Sequence, residues 1–518
     1  MPFVPIRGVG SQGLVTDQDA YNLELTQFPA GNNVSFHDGR LGKALGYVEE
    51  IAVAAAPTHV QSWLYAGNNT LVVGTLNKIY RFDGSSVSNV TKTSDATNYA
   101  NSTRWQSAQI GVAVLMNNGS QAPQYMYPSG TRFADLPAWP STLISACVKP
   151  YKSFLIMAGY ELGSSKYPYT VRWSDAYDPA SVPSDYDISS TTNLAGENIL
   201  SGNNGELIDQ LTLNNSQIIY AERGVFAMDF VGAPFVFNFR EIFADDGIMN
   251  RGACASFVNS HLVVGHHDIY VHDGQQKNSI ADKKVRKTFY NAVADTRSVF
   301  CQTVNSRSEV WICYADADAA DRQNANRALV YNWTQNAFTF IDLPDVRSLT
   351  VSAAIDPSGG WDDVSGSWAD SSNYWSNSSQ TNEANALSVF AAGYVDSKVY
   401  KMNESHSADG AVLSSFLETT KIDLDSVTGR PTNTIKQING ILPQIEGVGV
   451  IEISIGISQS PQDAIDWQTT VSYNVETDHK IDVRSSGRYF ALRIASANTE
   501  DYWRITGLDI DMSEVSAR

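Results

Sequence analysis

Four histidines fall within twelve residues, at His261, His266, His267 and His272, with Asp268 and Asp273 among them. Imidazole nitrogens and carboxylate oxygens are the donor set of a divalent transition metal. Alternate side chains of an extended strand share a face. His266 and Asp268 would then point together, with His267 opposite, and a third ligand would have to come from elsewhere. A sister hairpin carries Thr75, Leu76 and Asn77 at the equivalent positions, so the repeated unit does not require a metal. A structural role is the expectation for these histidines.

Carboxylates also stand in adjacent pairs, at Glu49–Glu50, Asp245–Asp246 and Asp362–Asp363. Glycoside hydrolysis needs two carboxyls facing each other across a sugar. Neighbours on a strand point to opposite faces, so adjacency does not build that geometry. The S-x-D-x-G-x-x-W box of sialidase-like proteins is absent, because Trp173-Ser174-Asp175 continues into Tyr177 and Val182. No G-x-S-x-G elbow or phosphate-binding loop occurs, and Gly8-Val9-Gly10 opens no helix. No catalytic, cofactor-binding or metal residue is therefore assigned, and the chain is not expected to be an enzyme. The four cysteines, Cys147, Cys254, Cys301 and Cys313, have no C-x-x-C spacing. Reduced, mostly buried thiols are expected, with Cys301 and Cys313 able to face each other on adjacent strands. Basic residues come together only at Asp282–Lys287 (DKKVRK) and near Arg322 and Arg327. So short a run reads as a solvated turn or a subunit contact before a nucleic-acid site.

The elements that would hold such residues are strands. LVVGTLNKIYRFDG from Leu71 is nearly repeated as LVVGHHDIYVHDG from Leu262, with looser copies at Ile218–Gly232 and Phe390–Asn403. Each copy is an apolar strand, a turn and a second strand; the two close copies end on Asp-Gly, the pattern of an antiparallel hairpin. A hairpin that cannot bury its own apolar face must stack on its neighbours. Repetition over several hundred residues predicts a β-propeller or similar array, although two like hairpins in one large sandwich would give the same signal. Composition agrees: 518 residues are 43% apolar and 11% aromatic, with 11 Trp and 24 Tyr, side chains that pack well on strands.

The predicted class is all-β, a β-propeller with additional antiparallel β domains and an extended N-terminal segment. The expected divisions are 1–57, an extended segment with a short hairpin, and 58–355, the propeller blades. Residues 356–386 form a Trp/Asp/Ser-rich loop, and 387–518 a last propeller hairpin plus a C-terminal β domain. Within the loop, Trp361, Trp368 and Trp375 recur every seven residues and would pin it to a sheet edge or anchor a partner. No apolar run is long enough to span a membrane, and the start MPFVPIRGVG lacks the apolar stretch of a secretory signal. With 36 basic against 55 acidic residues the net charge is −19, which argues against a protein that grips nucleic acid.

In order along the chain, several short phrases resemble the tail hub or nozzle proteins of short-tailed, podovirus-type bacteriophages. These are the tail tubular protein B and packaged-DNA stabilisation type. The phrases are Asp17, Leu25, Phe28, Gly31-Asn32-Asn33-Val34, Asp38-Gly39-Arg40-Leu41, Lys43 and Gly46-Tyr47, then the hairpins and Arg172-Trp173-Ser174-Asp175. Gly487-Arg488-Tyr489-Phe490-Ala491-Leu492-Arg493, Trp503-Arg504 and Gly507 close the series. The resemblance implies a virion protein made in the host cytoplasm, a homohexameric ring below connector and adaptor rings. Tail fibres, spikes or a needle would attach to it, and double-stranded DNA would pass through its lumen without sequence-specific binding. Physical logic fits that role, since cationic walls would hold each phosphate whereas acidic ones let the duplex slide. The rival reading is a propeller that binds or hydrolyses carbohydrate in a phage tail.

Overall fold

The computed structural model describes residues 3–65, 68–92, 99, 104–200, 204–232, 235–353, 387–423 and 434–516. Trp361, Trp368, Trp375 and the Asp362–Asp363 pair lie outside them. Strand makes up 55% of the chain and helix 4%, so the all-β class holds, built as several antiparallel sheets.

Five sheets follow one another from residue 57, each an up-and-down meander. Their first strands are Pro57–Tyr65, Gln106–Ile110, Val148–Tyr151, Leu207–Leu213 and Cys254–Phe257. In the third sheet Leu143–Ile144 also pairs beside Val148–Tyr151. A sixth sheet of seven strands starts at Phe300–Val304, runs to Lys398–Met402, and ends on Tyr47–Ala52 from the other end of the chain. Its long strand Ala337–Ala353 pairs through its first half with Ala325–Asn332 and through its second with Leu387–Gly393.

The hairpins read from the sequence are all present. Leu71–Gly84, Ile218–Gly232 and Leu262–Gly274 supply the second and third strands of the first, fourth and fifth sheets, and Phe390–Asn403 two adjacent strands of the sixth. The Asp-Gly ends are made alike. Asp83 Oδ1 accepts from Ser85 N and Ser86 N at 3.0 and 2.8 Å, and Asp273 Oδ1 from Gln275 N and Gln276 N at 2.8 Å each. Gly84 and Gly274 follow at φ 95° and 88°, left-handed values that favour glycine.

The apolar triplets are buried on both faces, which is why they do not alternate with polar residues. Leu71 and Val73 pack with Phe390 and Val399 of the sixth sheet, while Val72 between them packs with Val114 and Met116 of the second. Ala113 and Leu115 meet Leu155 and Met157 of the third sheet. Ile156 in turn meets Ile219 of the fourth, and Ile218 shares a core with Leu262 of the fifth. Within the sixth sheet Trp311 and Cys313 pack with Val389 and Tyr400. Full burial of each such side chain contributes about 2 kcal/mol.

Strands of the first 57 residues are divided among three sheets. Tyr47–Ala52 joins the sixth sheet, whereas Phe3–Arg7, Val34–His37 and Arg40–Lys43 join a sheet with Ile435–Val448, Ile481–Gly487 and Tyr502–Ser516. Ala30–Asn32 enters a further sheet beside Ser415–Glu418, with Tyr489–Ser496, Val450–Ser458 and Asp466–Asn474 beyond. Both chain ends therefore share one apolar core, with Val34, Phe36, Ile438, Trp503 and Ile505 in contact with Phe338 and Phe340 of the sixth sheet. Asn33, at φ 53°, fixes the junction: its side chain donates to Asp342 Oδ2 and Ser414 O at 2.7 Å and accepts from Asp342 N at 2.8 Å.

The basic run DKKVRK leads into the one α-helix among the described residues, α1 (Arg286–Ala292). Asp17, far away in sequence, caps it, accepting from Lys287 N at 2.6 Å and Thr288 N at 3.0 Å. Asp17→Ala is expected to lower stability by about 1 kcal/mol, as other cap removals do. A thermal midpoint unchanged from the parent chain would show that the cap is idle.

Candidate functional site

The first strands of the sheets touch in sequence. Pro57–Tyr65 meets Gln106–Ile110, and contact passes through Val148–Tyr151, Leu207–Leu213, Cys254–Phe257 and Phe300–Val304 to the second half of Ala337–Ala353. That last strand lies against Pro57–Tyr65, so the series returns to its first member. Side chains stitch this join: Ser62 N donates to Thr350 Oγ1 at 3.2 Å, and Ser62 Oγ to Ser352 Oγ at 3.0 Å.

A cavity of about 240 Å³ lies where these strands converge, and all seven contribute to its wall. Its floor is an ion pair. Lys149 Nζ stands 2.8 Å from Asp209 Oδ1 and also donates to Gln210 O at 2.7 Å. Asp209 is fully buried and accepts from Gly252 N and Gln210 N at 2.8 Å each. Burial pushes its carboxyl up, but Lys149 and these amides outweigh burial and hold it below the usual carboxylate range. Two thiols donate to the same carboxylate, Cys147 to Oδ1 at 3.5 Å and Cys254 to Oδ2 at 4.0 Å. Burial, then Asp209, pushes Cys147 up to about 12, so it stays a protonated donor and not a nucleophile.

Above the ion pair the cavity opens into a mouth of about 410 Å³, and Arg104, Arg251 and Arg347 line both. Arg347 is neutralised by Asp321 at 3.0 Å, donates to Asn324 Oδ1 at 2.6 Å and stacks on Tyr394 at 3.6 Å. Arg104 donates to the carbonyls of Arg297 at 2.6 Å and Val299 at 3.3 Å. Burial, then the nearby Arg251, holds Arg104 down to about 10. Nothing in the sequence joins these residues, which come from strands and loops up to 243 positions apart.

The histidine cluster separates. His266 and His267 are at a hairpin turn, and Asp268 is engaged by Ser279 at 3.0 Å and Arg286 at 3.9 Å. His261 and His272 instead sit directly opposite each other on paired strands, both fully buried. Tyr220, from the fourth sheet, bridges them: its Oη is 2.7 Å from His261 Nδ1 and 2.7 Å from His272 Nε2. The outer nitrogens fix every proton. Gly274 N donates to His272 Nδ1 at 3.2 Å, so Nε2–H donates to Tyr220. His261 Nε2 donates to Thr212 O at 3.0 Å, so its Nδ1 accepts the tyrosine proton. Burial foremost lowers both imidazoles, His261 to about 4 and His272 to about 3. This is a neutral structural relay. Among the described residues no cluster of three or more His, Cys, Asp or Glu side chains is placed to hold a metal.

One member of each described carboxylate pair has a structural partner. Glu49 pairs with Lys398 at 2.7 Å and Asp246 with Lys277. Trp173 donates to Leu194 O at 2.8 Å, and Ser174 Oγ, buried, accepts from Leu155 N at 3.0 Å and so staples the loop that follows. All four cysteines are free thiols, and Cys301 pairs in register with Ile312, one place from Cys313. No described helix is long and apolar enough to cross a membrane.

The class these features define is an all-β protein of several antiparallel sheets around a charged central cavity. Comparison with protein-family models gave no match, and comparison with curated proteins gave none.

Proposed function

We propose that the chain is a structural tail component of a short-tailed bacteriophage, of the hub or nozzle type, and that its sheets form a seven-bladed β-propeller. The observation that carries this reading is the circuit of shared cores. The first four sheets divide alternate residues between two neighbouring cores, and Val60 and Leu71 of the first pack with Phe390 and Val399 of the last. Splitting the seven-stranded sheet at its long strand gives two four-stranded blades, the second completed by Tyr47–Ala52. A ring closed by a strand from the other chain end completes the last blade and leaves only short outer edges. Strands from both ends of the chain pair in a sheet beside it, and added β domains are what the resemblance implies.

The cavity within one chain is far too small for a duplex, whose major groove alone is about 12 Å wide. A DNA path would therefore lie between copies, with the connector above and fibres or spikes below. The excess of 19 negative charges per chain, repeated around a hexamer, suits a wall that does not hold phosphate. In a purified particle, a label on this chain should appear as a ring below the portal. Once imaging identifies carboxylates facing the lumen, replacing two or three by Lys should leave particles assembled but slow DNA release. Unchanged release would end the electrostatic account, and cleavage of host polysaccharide by the chain would favour the carbohydrate reading.

A further inference from the structure

Among the described residues, the mouth of the central cavity carries more positive charge than carboxylates pair with. Five cationic side chains line the two connected spaces, Arg104, Lys149, Arg251, Arg297 and Arg347. Three are paired: Lys149 with Asp209, Arg297 with Asp295 at 2.8 Å and Arg347 with Asp321. Among the described residues, Arg104 and Arg251 have no carboxylate within ion-pair distance. Arg251 stands further apart still, because its Nε is buried with no hydrogen-bond partner. A buried, unsatisfied guanidinium nitrogen is costly unless a ligand completes it. Two guanidiniums without a carboxylate partner line the same cavity, one of them with this orphaned nitrogen, in a chain with a large acidic surplus.

We propose that Arg104 and Arg251 form a binding site for a compact dianion of the phosphate class, free phosphate or the terminal group of a phosphate monoester. The excess of two positive charges matches a dianion. Guanidinium forks donate in pairs to phosphate oxygens, and a tetrahedral group can accept from two arginines that approach from different strands. A monocarboxylate would balance only one of the two charges. Arg347, neutralised by Asp321 and stacked on Tyr394, is a fixed part of the wall behind the pair. The constriction admits a small group and excludes a duplex. One chain suffices to make the site.

The test is titration calorimetry of the full chain with inorganic phosphate and, separately, with glycerol phosphate, against chloride at equal ionic strength. Saturable binding of phosphate is expected, weakened at least tenfold in Arg251→Gln and less than threefold in Arg297→Gln, whose side chain is 75% exposed at the rim. Binding of free phosphate alone, or of the monoester more tightly, identifies the source. Should Arg251→Gln not fold, phosphate protection of Arg104 and Arg251 from phenylglyoxal in the parent chain, read by peptide mass, replaces it, with at least fivefold slower modification expected. The proposal is overturned by the absence of saturable heat, by equal affinity in Arg251→Gln, or by equal modification with and without phosphate. Duplex DNA or an acidic peptide displacing phosphate at lower concentration would also overturn it, assigning the arginines to a macromolecular partner.

Discussion

Resistance to denaturant is expected to fall steeply between pH 6.5 and pH 4, before most carboxylates titrate. In the unfolded chain His261, His272 and His59 ionise near 6.5. In the folded chain burial foremost lowers His261 and His59 to about 4 and His272 to about 3. As pH drops through 6.5 the unfolded state takes up protons that the native state refuses, so stability declines until the folded values are reached. At 1.36 kcal/mol per pKa unit, His261 alone accounts for about 3 kcal/mol. The relay explains why it cannot yield locally. A proton on His261 Nδ1 would turn that nitrogen into a donor facing Tyr220 Oη, which already accepts from His272, and the tyrosine proton would have no acceptor. The urea midpoint measured from pH 8 to pH 4 should show this slope, and His261→Gln combined with His272→Gln should leave only the smaller part due to His59 while lowering the plateau. Tyr220→Phe, which orphans a donor on one imidazole and an acceptor on the other, should cost about 2–4 kcal/mol at pH 7.5. A midpoint constant from 6.5 to 4.5 would refute the buried neutral assignment.

That relay also shows how far the sequence could be read. The hairpin was legible because its signals are local: apolar triplet, turn, Ile-Tyr, Asp-Gly. Pairing Val264 with Ile269 and counting back places His261 opposite His272, yet same-strand alternation selects His266 with Asp268, which fall in the turn. Only cross-strand register links the buried pair. Tyr220 arrives from another sheet, with no sequence mark of its partners. The same holds for strands Phe3–Arg7 and Tyr502–Ser516, paired from opposite chain ends, where the N-terminal segment was expected to stand apart. The central arginines were hidden for the same reason. Arg104, Arg251 and Arg347 lie in or beside strands of three different sheets, and only convergence of those strands makes them neighbours.

The other large effect is expected from Asp209→Asn, which keeps the side chain's size and removes its charge. Lys149, whose side chain is 21% exposed, would keep the carbonyl of Gln210 but lose its counterion. Breaking a buried pair from one side typically costs about 3–5 kcal/mol, because the remaining charge must be desolvated alone. A sign follows for pH. With Asp209 neutral, burial should depress the Lys149 ammonium below its unfolded value near 10.4. The unfolded state then binds the extra proton, so the variant should gain stability as pH rises from 8 towards 10. Adding Lys149→Met should recover most of the loss and abolish that alkaline gain, since apolar residues of similar volume often replace a buried pair without penalty. A single Asp209→Asn chain within 1 kcal/mol of the parent, measured by urea midpoint at pH 7.5, would mean that the cavity floor is wetter than its geometry implies. The ion pair would then not be what draws the strands of Lys149, Asp209 and Gly252 together at the centre of the molecule.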